Sequence, residues 1–429
     1  KNNSFSKLDL SSEKNISTSF FVISNGLEES NKNIAKGNEK VLRARFSDAK
    51  FFVESDKKVA SIKRNEKLKS VSYIKGLGNI FQRVERIVEV SKKILIFLND
   101  NSLEDKIIIE AAKYCKNDLC SEIVYEFPEL QGIMGGKYLK NEGFSEEICL
   151  AVAEHYLPAF YKDALPSTKY GAIVSIADKI ETLISIFISG KRPSGSSDPY
   201  ALRRNLNGVI KIIWDYEFDL KLDNLFNELI DFWKIKFPKL NFLREKVSND
   251  LNEFLVQRTV SHLEEISLDK DLIKAVCSFD VFPPKRILNI FDLKNRINAI
   301  VEFKEKETFV EIQKVITRVS KLANSSNLST EVLSTKDYVN TKLFEKDCEF
   351  KVFEFIRELE ELFSTGYCNY LELLNLFEIH IITIEDLFDN EKGVLVMTED
   401  IKIRKNRLNL LSLIRNYSLK IADFTLLNS

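Results

Sequence analysis

Apolar residues recur every three or four positions through most of the chain, and this spacing predicts a mainly helical protein. Few residues interrupt the pattern, because the 429 residues include only 14 Gly and 8 Pro. From residue 37 onward the pattern is helical, and residues 79–190 are predicted to form one compact unit. Its helices are expected at 79–98, 104–116, 128–142, 145–156 and 169–189.

The start of the chain differs from the rest. Residues 20–23 are four consecutive apolar side chains followed by Asn25 and Gly26, which predicts a short strand entering a turn. The predicted divisions are the end of an N-terminal α/β region over 1–78, a helical domain over 79–200, a helical body over 201–286 and a C-terminal helical domain over 287–429. The loop-like residues 190–199 fit either a linker or an ordered functional loop.

Charge and composition limit the functions that the chain can have. The 63 Lys and Arg residues nearly balance 64 Asp and Glu, so a uniformly basic coat is excluded and any nucleic-acid surface must be a local patch. The six Cys are scattered without a CxxC pair, which favours free thiols in a reducing cytoplasm. No apolar run reaches about 18 residues, so no membrane span is expected.

Motifs for nucleotide or metal chemistry are missing. The sequence has no GxxxxGK[ST] and no GxGxxG segment, and its three His residues, His155, His262 and His380, are isolated from one another. We therefore predict no catalytic residues, no metal ligands and no cofactor bound by this chain.

Several segments of unusual composition together resemble one family. They are residues 37–52 (GNEKVLRARFSDAKFF), 126–135 (EFPELQGIMG), 154–158, 163–166, 177–179, 194–204, 292–303, 406–411 and 422–424. In this order they resemble the beta subunit of the bacterial two-subunit glycyl-tRNA synthetase over nearly the whole chain. Members of that family are longer on the N-terminal side, so the chain, which begins with Lys1, is expected to be a C-terminal portion.

The resemblance implies both a fold and partners. It implies a mainly α, multi-domain protein with an HD-like helical domain at 79–190, a C-terminal anticodon-binding domain of the DALR type, and a small α/β remnant at the N-terminus. It also implies a separate alpha subunit that holds the ATP, Mg and glycine site, while the beta subunit binds tRNA(Gly). The expected partners are therefore the alpha subunit and tRNA(Gly), with no membrane.

An HD-like domain raises the question of a metal site. HD phosphohydrolases bind a divalent metal through His, an adjacent His-Asp pair and a later Asp. In this chain His155 resembles a middle His and Asp178 the final Asp, but Cys115 and Lys116 stand where the pair should be. Because a lysine ammonium repels a cation, we predict a vestigial site without metal, in which His155 is a hydrogen-bonded residue at a helix end, paired with Asp178.

Basic residues of the C-terminal domain are the candidates for RNA binding. Lys314, Arg318 and Lys321 share one helical face, opposite apolar Ile312, Val315, Val319 and Leu322. Residues 401–420 hold six basic side chains and no acidic one, and the predicted RNA-binding residues among them are Arg404, Lys405, Arg407 and Arg415. Of these, Arg404, Lys405 and Arg415 are expected to fall together on one face, whereas Arg407 lies at the edge of the apolar face, where packing is an alternative role.

Two other functions fit parts of these observations. One is a metal-dependent HD phosphohydrolase, which the missing His-Asp pair disfavours. The other is a free-standing RNA-binding protein without an enzymatic partner.

Overall fold

The computed structural model of the chain describes residues 19–160, 162–193, 197–277, 289–364 and 369–427. Eighteen α-helices lie in these ranges, and the prediction of a mainly helical protein is confirmed. In chain order they are α1 (Asn31–Asp56), α2 (Ser61–Lys67), α3 (Ile80–Leu98), α4 (Asp105–Tyr114), α5 (Glu122–Glu126), α6 (Ile133–Asn141), α7 (Glu146–Glu154), α8 (Lys169–Ile188), α9 (Leu202–Tyr216), α10 (Leu222–Lys236), α11 (Arg244–Glu265), α12 (Lys270–Val276), α13 (Ile290–Phe303), α14 (Phe309–Ala323), α15 (Asp347–Ser364), α16 (Tyr370–Ile379), α17 (Ile381–Asp386) and α18 (Ile401–Ser418).

The five helices predicted within residues 79–190 correspond to α3, α4, α6, α7 and α8. A capping box begins α3, since the Asn79 side chain accepts from the Gln82 N–H at 2.9 Å and the Gln82 side chain accepts from the Asn79 N–H at 3.1 Å. Helix α6 begins later than predicted, because residues Pro128–Leu130 form a 3₁₀ turn and Gly132 takes a φ of 80°.

The strand predicted at residues 20–23 is wrong, and residues 1–18 of the predicted α/β remnant lie outside the described residues. The described part of the chain contains no β-strand, only isolated bridges such as the one between Ser72 and Asn79. Phe21 and Ile23 are exposed, and the chain becomes helical soon after them, before residue 37. Four consecutive apolar residues before a turn cannot by themselves distinguish a paired strand from an extended segment that has no neighbour.

The chain divides into two compact units, Lys1–Glu253 (unit 1) and Phe254–Ser429 (unit 2). In unit 1, α8 is the central helix and packs against α3, α4, α7, α9 and α10. Its side chains are buried on nearly all sides, as expected for a predominantly apolar helix in a core. Asp178, Lys179 and Glu181 are also buried there, so neighbouring groups must supply their polar partners.

Unit 2 is built around the pair α14 and α18, with α15 packed against α16, α17 and α18. The polar interruption predicted at 324–335 is confirmed, because the chain leaves helical structure between Ala323 and residue 341. The four-domain division stays a prediction, and its boundary at 286/287 lies outside the described residues. None of the described helices is both long and apolar enough to cross a membrane. The described cysteines are free thiols, and Cys368 lies outside the described residues.

Candidate functional site

The Lys116 ammonium lies at the centre of a buried cluster in unit 1. Its Nζ is 2.8 Å from His155 Nε2 and 2.9 Å from the Asp178 carboxylate, and it lies 3.7 Å from the centroid of the Tyr156 ring. Lys116 and His155 have no solvent-exposed surface. The structure therefore brings His155 and Asp178 together through Lys116, which lies between them.

Hydrogen bonds fix the protonation of His155. Its Nδ1 lies 2.6 Å from the Val152 carbonyl, and the Lys116 ammonium donates to Nε2, so the network assigns the proton to Nδ1. Burial and the Lys116 charge hold the pKa of His155 well below its usual range. The prediction of a hydrogen-bonded histidine at a helix end is confirmed, because His155 follows the last residue of α7. The predicted direct pair with Asp178 is wrong, because the two ring nitrogens of His155 contact Lys116 and the Val152 carbonyl, and Lys116 separates the imidazole from the Asp178 carboxylate.

Two arginines from α3 complete the cluster. Arg83 donates to Asp178 at 2.8 Å and to Glu181 at 2.9 Å, and Arg86 donates to Glu181 at 2.9 Å. Burial alone would raise the pKa of Asp178, but Lys116 and Arg83 hold it well below its usual range. Burial would lower the pKa of Lys116, and Asp178 raises it above its usual value instead. Three cationic groups thus face two carboxylates in this cluster.

These groups do not fit a divalent metal. The position between His155 and Asp178 is filled by an ammonium, which donates hydrogen bonds to the two side chains that a metal would need as ligands. The Cys115 thiol is buried, donates to the Ala112 carbonyl, and has its pKa raised to about 12 by burial. Within the described ranges, no group of three or more His, Cys, Asp or Glu side chains is arranged to hold a metal ion.

A second buried carboxylate beside the cluster escaped the sequence analysis. Asp118 Oδ2 accepts the backbone N–H groups of Gly132 at 2.6 Å and Gly135 at 2.9 Å, and burial raises the pKa of Asp118 to about 6. A Cβ on Gly135 would lie 2.9 Å from Asn117 Oδ1, so glycine is needed for this close approach. The closely spaced glycines after residue 131 were the available signal.

The basic stripe predicted on α14 is exposed in unit 2. Lys314, Arg318 and Lys321 face solvent, whereas Ile312, Val315 and Val319 are buried. The three basic residues line a groove of about 380 Å³ together with Gln313, Thr317, Thr425 and Leu427. The Arg318 guanidinium lies 4.4 Å from the centroid of the Phe388 ring, which is a cation–π contact.

Helix α18 divides its basic residues between surface and core. Lys405 is exposed and Arg404 is half-buried, and neither lines the groove on α14. Arg407 is 2% exposed and donates to the Glu349 carboxylate at 2.9 Å and the Glu345 carboxylate at 2.6 Å. Of the two roles considered for Arg407, the structure therefore gives it packing.

The prediction that Arg415 shares an exposed face with Arg404 and Lys405 is wrong. Arg415 is 7% exposed, and its guanidinium donates to the carbonyls of Ala323 at 3.1 Å and Leu328 at 3.2 Å. The physical reason is that the segment after α14 covers this side of α18, so its backbone carbonyls satisfy the guanidinium in place of solvent.

Comparison with known proteins agrees with the motifs. The sequence profile of a family described as "Glycyl-tRNA synthetase beta subunit" matches residues 3–278. The "Glycine--tRNA ligase beta subunit" of Thermodesulfovibrio yellowstonii is 36% identical over 421 residues, covering 97% of this chain and 57% of that protein. Proteins of the same name from Trichodesmium erythraeum and Rickettsia bellii are each 36% identical over 411 residues, covering 94% and 96% of this chain and 57% and 56% of theirs.

These matches place the chain in the class of aminoacyl-tRNA synthetase subunits. It belongs to the glycyl-tRNA synthetase beta-subunit family, and the resemblance seen in the motifs is confirmed. The chain spans 57% of the length of the first of these relatives.

Proposed function

We propose that this chain is the tRNA-binding part of a glycine–tRNA ligase beta subunit, which supports the ATP-dependent attachment of glycine to tRNA(Gly). Adenylate chemistry, with its ATP and Mg, takes place on a separate alpha subunit, and the protein is cytoplasmic. Membership of the beta-subunit family supports this assignment, and the sequence has no nucleotide-binding motif of its own.

The observation that carries the proposal is the exposed basic stripe on α14. Three cations line one groove in a chain whose net charge is only -1, so the stripe is a local concentration of positive charge. Lysine ammonium groups neutralise RNA phosphates, and a planar guanidinium such as that of Arg318 stacks on an unpaired base. Together with Lys405 and Arg404 on α18, these groups fit the anticodon side of a tRNA.

Titration of tRNA(Gly) at two salt concentrations tests this surface. Lys314→Ala should weaken binding and lower the salt slope by about one unit, the effect of one lost phosphate contact. Arg318→Ala should also reduce the preference for tRNA(Gly) over other tRNAs, because a stacked base is lost. Lys336, an exposed lysine on the loop that follows α14, gives the matched control Lys336→Ala.

One combined variant decides the matter. If a protein with alanine at Lys314, Arg318, Arg404 and Lys405 stays folded and binds tRNA(Gly) with the affinity and salt slope of the parent, these helices are not the RNA surface. Thermal melting shows whether it is folded.

The HD phosphohydrolase alternative is disfavoured by Lys116. An ammonium between His155 and Asp178 occupies the position that a metal would need, and its charge repels a cation. We therefore propose a metal-free HD-like domain in unit 1. Metal analysis of protein purified without chelator, with a phosphodiesterase screen in Mn²⁺, is the test. A stoichiometric metal that disappears in His155→Ala would contradict the proposal.

A further inference from the structure

A second aromatic and basic surface lies on unit 1, where α9 begins. The Arg204 guanidinium is 5.1 Å from the centroid of the Phe160 ring, and Phe160 is 62% exposed. Close in sequence, Lys191 Nζ is 2.6 Å from the Tyr200 hydroxyl and 4.9 Å from the centroid of its ring. We call these four residues the aromatic–basic surface, and the function proposed above makes no use of it.

Two carboxylates hold this surface in place through the backbone. Asp163 accepts the N–H groups of Ala159 at 3.0 Å and Phe160 at 2.8 Å, which fixes the turn that presents the Phe160 ring. Asp198 accepts the N–H groups of Leu202 at 2.8 Å and Arg203 at 2.9 Å, at the start of the helix that carries Arg204. The ring and the guanidinium are therefore positioned before any partner binds, which lowers the entropy cost of binding.

Within the part of the chain that the structure describes, the two cations of this surface are not engaged in ion pairs. Over the residues that the structure describes, neither Lys191 nor Arg204 forms a salt bridge with a carboxylate. The exposed Phe160 ring thus lies beside the Arg204 guanidinium, and the Lys191 ammonium lies beside the Tyr200 ring, with neither cation engaged in an ion pair in the described ranges.

We propose that the aromatic–basic surface binds single-stranded RNA. An unpaired base has a flat face that stacks on Phe160 or on the Arg204 guanidinium, and its phosphate is neutralised by Lys191. A protein partner would instead favour a contiguous apolar core within the interface, and this surface offers one exposed ring among cations. The surface is in a different unit from the groove on α14, so the two can be tested separately.

The experiment uses the full chain and a fluorescently labelled, unstructured RNA of about 12 nucleotides, within the site sizes usual for single-strand binders. Phe160→Ala should weaken binding about 5- to 100-fold, the effect of losing one stacked base. Arg204→Lys keeps the charge and removes the planar stack, so affinity should fall while the salt slope is retained. Tyr125, an exposed tyrosine on α5 that is distant in sequence from this surface, provides the control Tyr125→Ala, which should bind as the parent does.

Further readouts separate this site from the one on α14. Ultraviolet crosslinks of the RNA should map to peptides containing Phe160 or Tyr200, and alanine at Lys314, Arg318 and Lys321 should leave single-strand binding intact. Loss of single-strand binding in that C-terminal variant would place the site in unit 2 and overturn the proposal. The proposal would also be overturned if Phe160→Ala and Arg204→Lys both bound the RNA with parental affinity. Thermal melting checks that each variant is folded. If Phe160→Ala or Arg204→Lys bound RNA as the parent does but no longer co-purified with an alpha subunit, the surface would be a protein-docking surface. That result would also overturn the proposal.

Discussion

Lys116 places a positive charge in the interior of unit 1, and its three contacts offset the cost of burying it. The Asp178 carboxylate supplies opposite charge, His155 Nε2 supplies an acceptor, and the Tyr156 ring presents its electron-rich face. Asp178 in turn depends on Lys116, because Arg83 is its only other ion-pair partner among the described residues. Removal of the ammonium therefore leaves an under-compensated buried carboxylate.

We expect Lys116→Met to lower the free energy of unfolding by about 3 to 5 kcal/mol, the usual cost of breaking a buried ion pair from one side. The matched control is Lys113→Ala, which removes an exposed lysine from the neighbouring helix α4 and should change stability little. Urea unfolding of both variants against the parent measures the difference. Equal midpoints and slopes for Lys116→Met and the parent would show that the buried cluster does not need this charge.

Because of Asp118, the free energy of unfolding should fall as the pH rises from about 4 to about 6. Its pKa is about 6 in the folded chain, against about 3.9 for an unperturbed Asp, so between these values the folded chain holds a proton that the unfolded chain has released. This contribution is fully present below about pH 4 and is lost above about pH 6. Relative to the parent, Asp118→Asn should therefore gain about 2 to 3 kcal/mol across that window.

Urea unfolding at several pH values measures this gain. His155, whose pKa is lowered, has a pH dependence of opposite sign, but it is present in both proteins and cancels in the comparison. A difference between the two proteins that does not change between pH 4 and pH 6.5 would show that Asp118 titrates normally.

Some residues of the buried cluster around Lys116 could be selected from the sequence, but their geometry could not be predicted. The resemblance to HD domains singled out His155 and Asp178 and placed Cys115 and Lys116 where a His-Asp pair would stand. That the replacing lysine lies between them depends on the packing of α7 and α8 around the end of α4, which no local pattern encodes. Asp118 was missed because its partners are backbone N–H groups of glycines fourteen and seventeen residues away.

At the level of elements, α18 shows that an amphipathic pattern does not predict which loops cover the polar side of a helix. The pattern identifies the helix and its apolar side, and it treats the polar side as solvated. In the structure that polar side binds the loop after α14: Asn416 donates to the carbonyls of Ser329 at 2.8 Å and Val332 at 2.7 Å, and Asn409 donates to that of Tyr338 at 2.7 Å. Arg415 was assigned to the surface for the same reason, because a covering loop does not appear in helical periodicity.

Arg407 and Lys405, two residues apart on α18, should respond oppositely to substitution. Arg407→Ala leaves the fully buried Glu349 without its guanidinium and should lower the free energy of unfolding by about 3 to 5 kcal/mol. Lys405→Ala should leave stability nearly unchanged and weaken tRNA binding with a smaller salt slope.

Thermal melting and tRNA titration of both proteins provide the comparison. If Arg407→Ala melted like the parent and bound tRNA more weakly, Arg407 would contact RNA and would have no packing role. That result would contradict the different roles given to Arg407 and Lys405.

On the scale of the whole molecule, the sequence predicted the helical class and the family, while the two-unit division emerged only from contacts. The family could be recognised from the sequence because its motifs are numerous and lie in a fixed order. A match of so many motifs by chance is improbable. The division falls within the segment predicted to be a continuous helical body, where no composition change marks it. Contacts between residues far apart in sequence define a unit, and periodicity records only local spacing.

The isolated chain should fail to form glycyl-adenylate. It has no phosphate-binding glycine motif, and in the proposed function the ATP and glycine site belongs to the alpha subunit. Glycine-dependent exchange of labelled pyrophosphate into ATP is the measurement, with an added alpha subunit as the positive control. Clear exchange by this chain alone would require an active site within it.

The loop that α18 binds has a consequence for digestion by proteases. A polar segment of this length between two helices is ordinarily where a protease cuts first. Here the carbonyls of Ser329, Val332 and Tyr338 are held by α18, so the backbone cannot enter a protease active site until those contacts open. Trypsin cleavage after the exposed Lys336 would therefore report the opening of unit 2, and its rate would follow the stability of that unit.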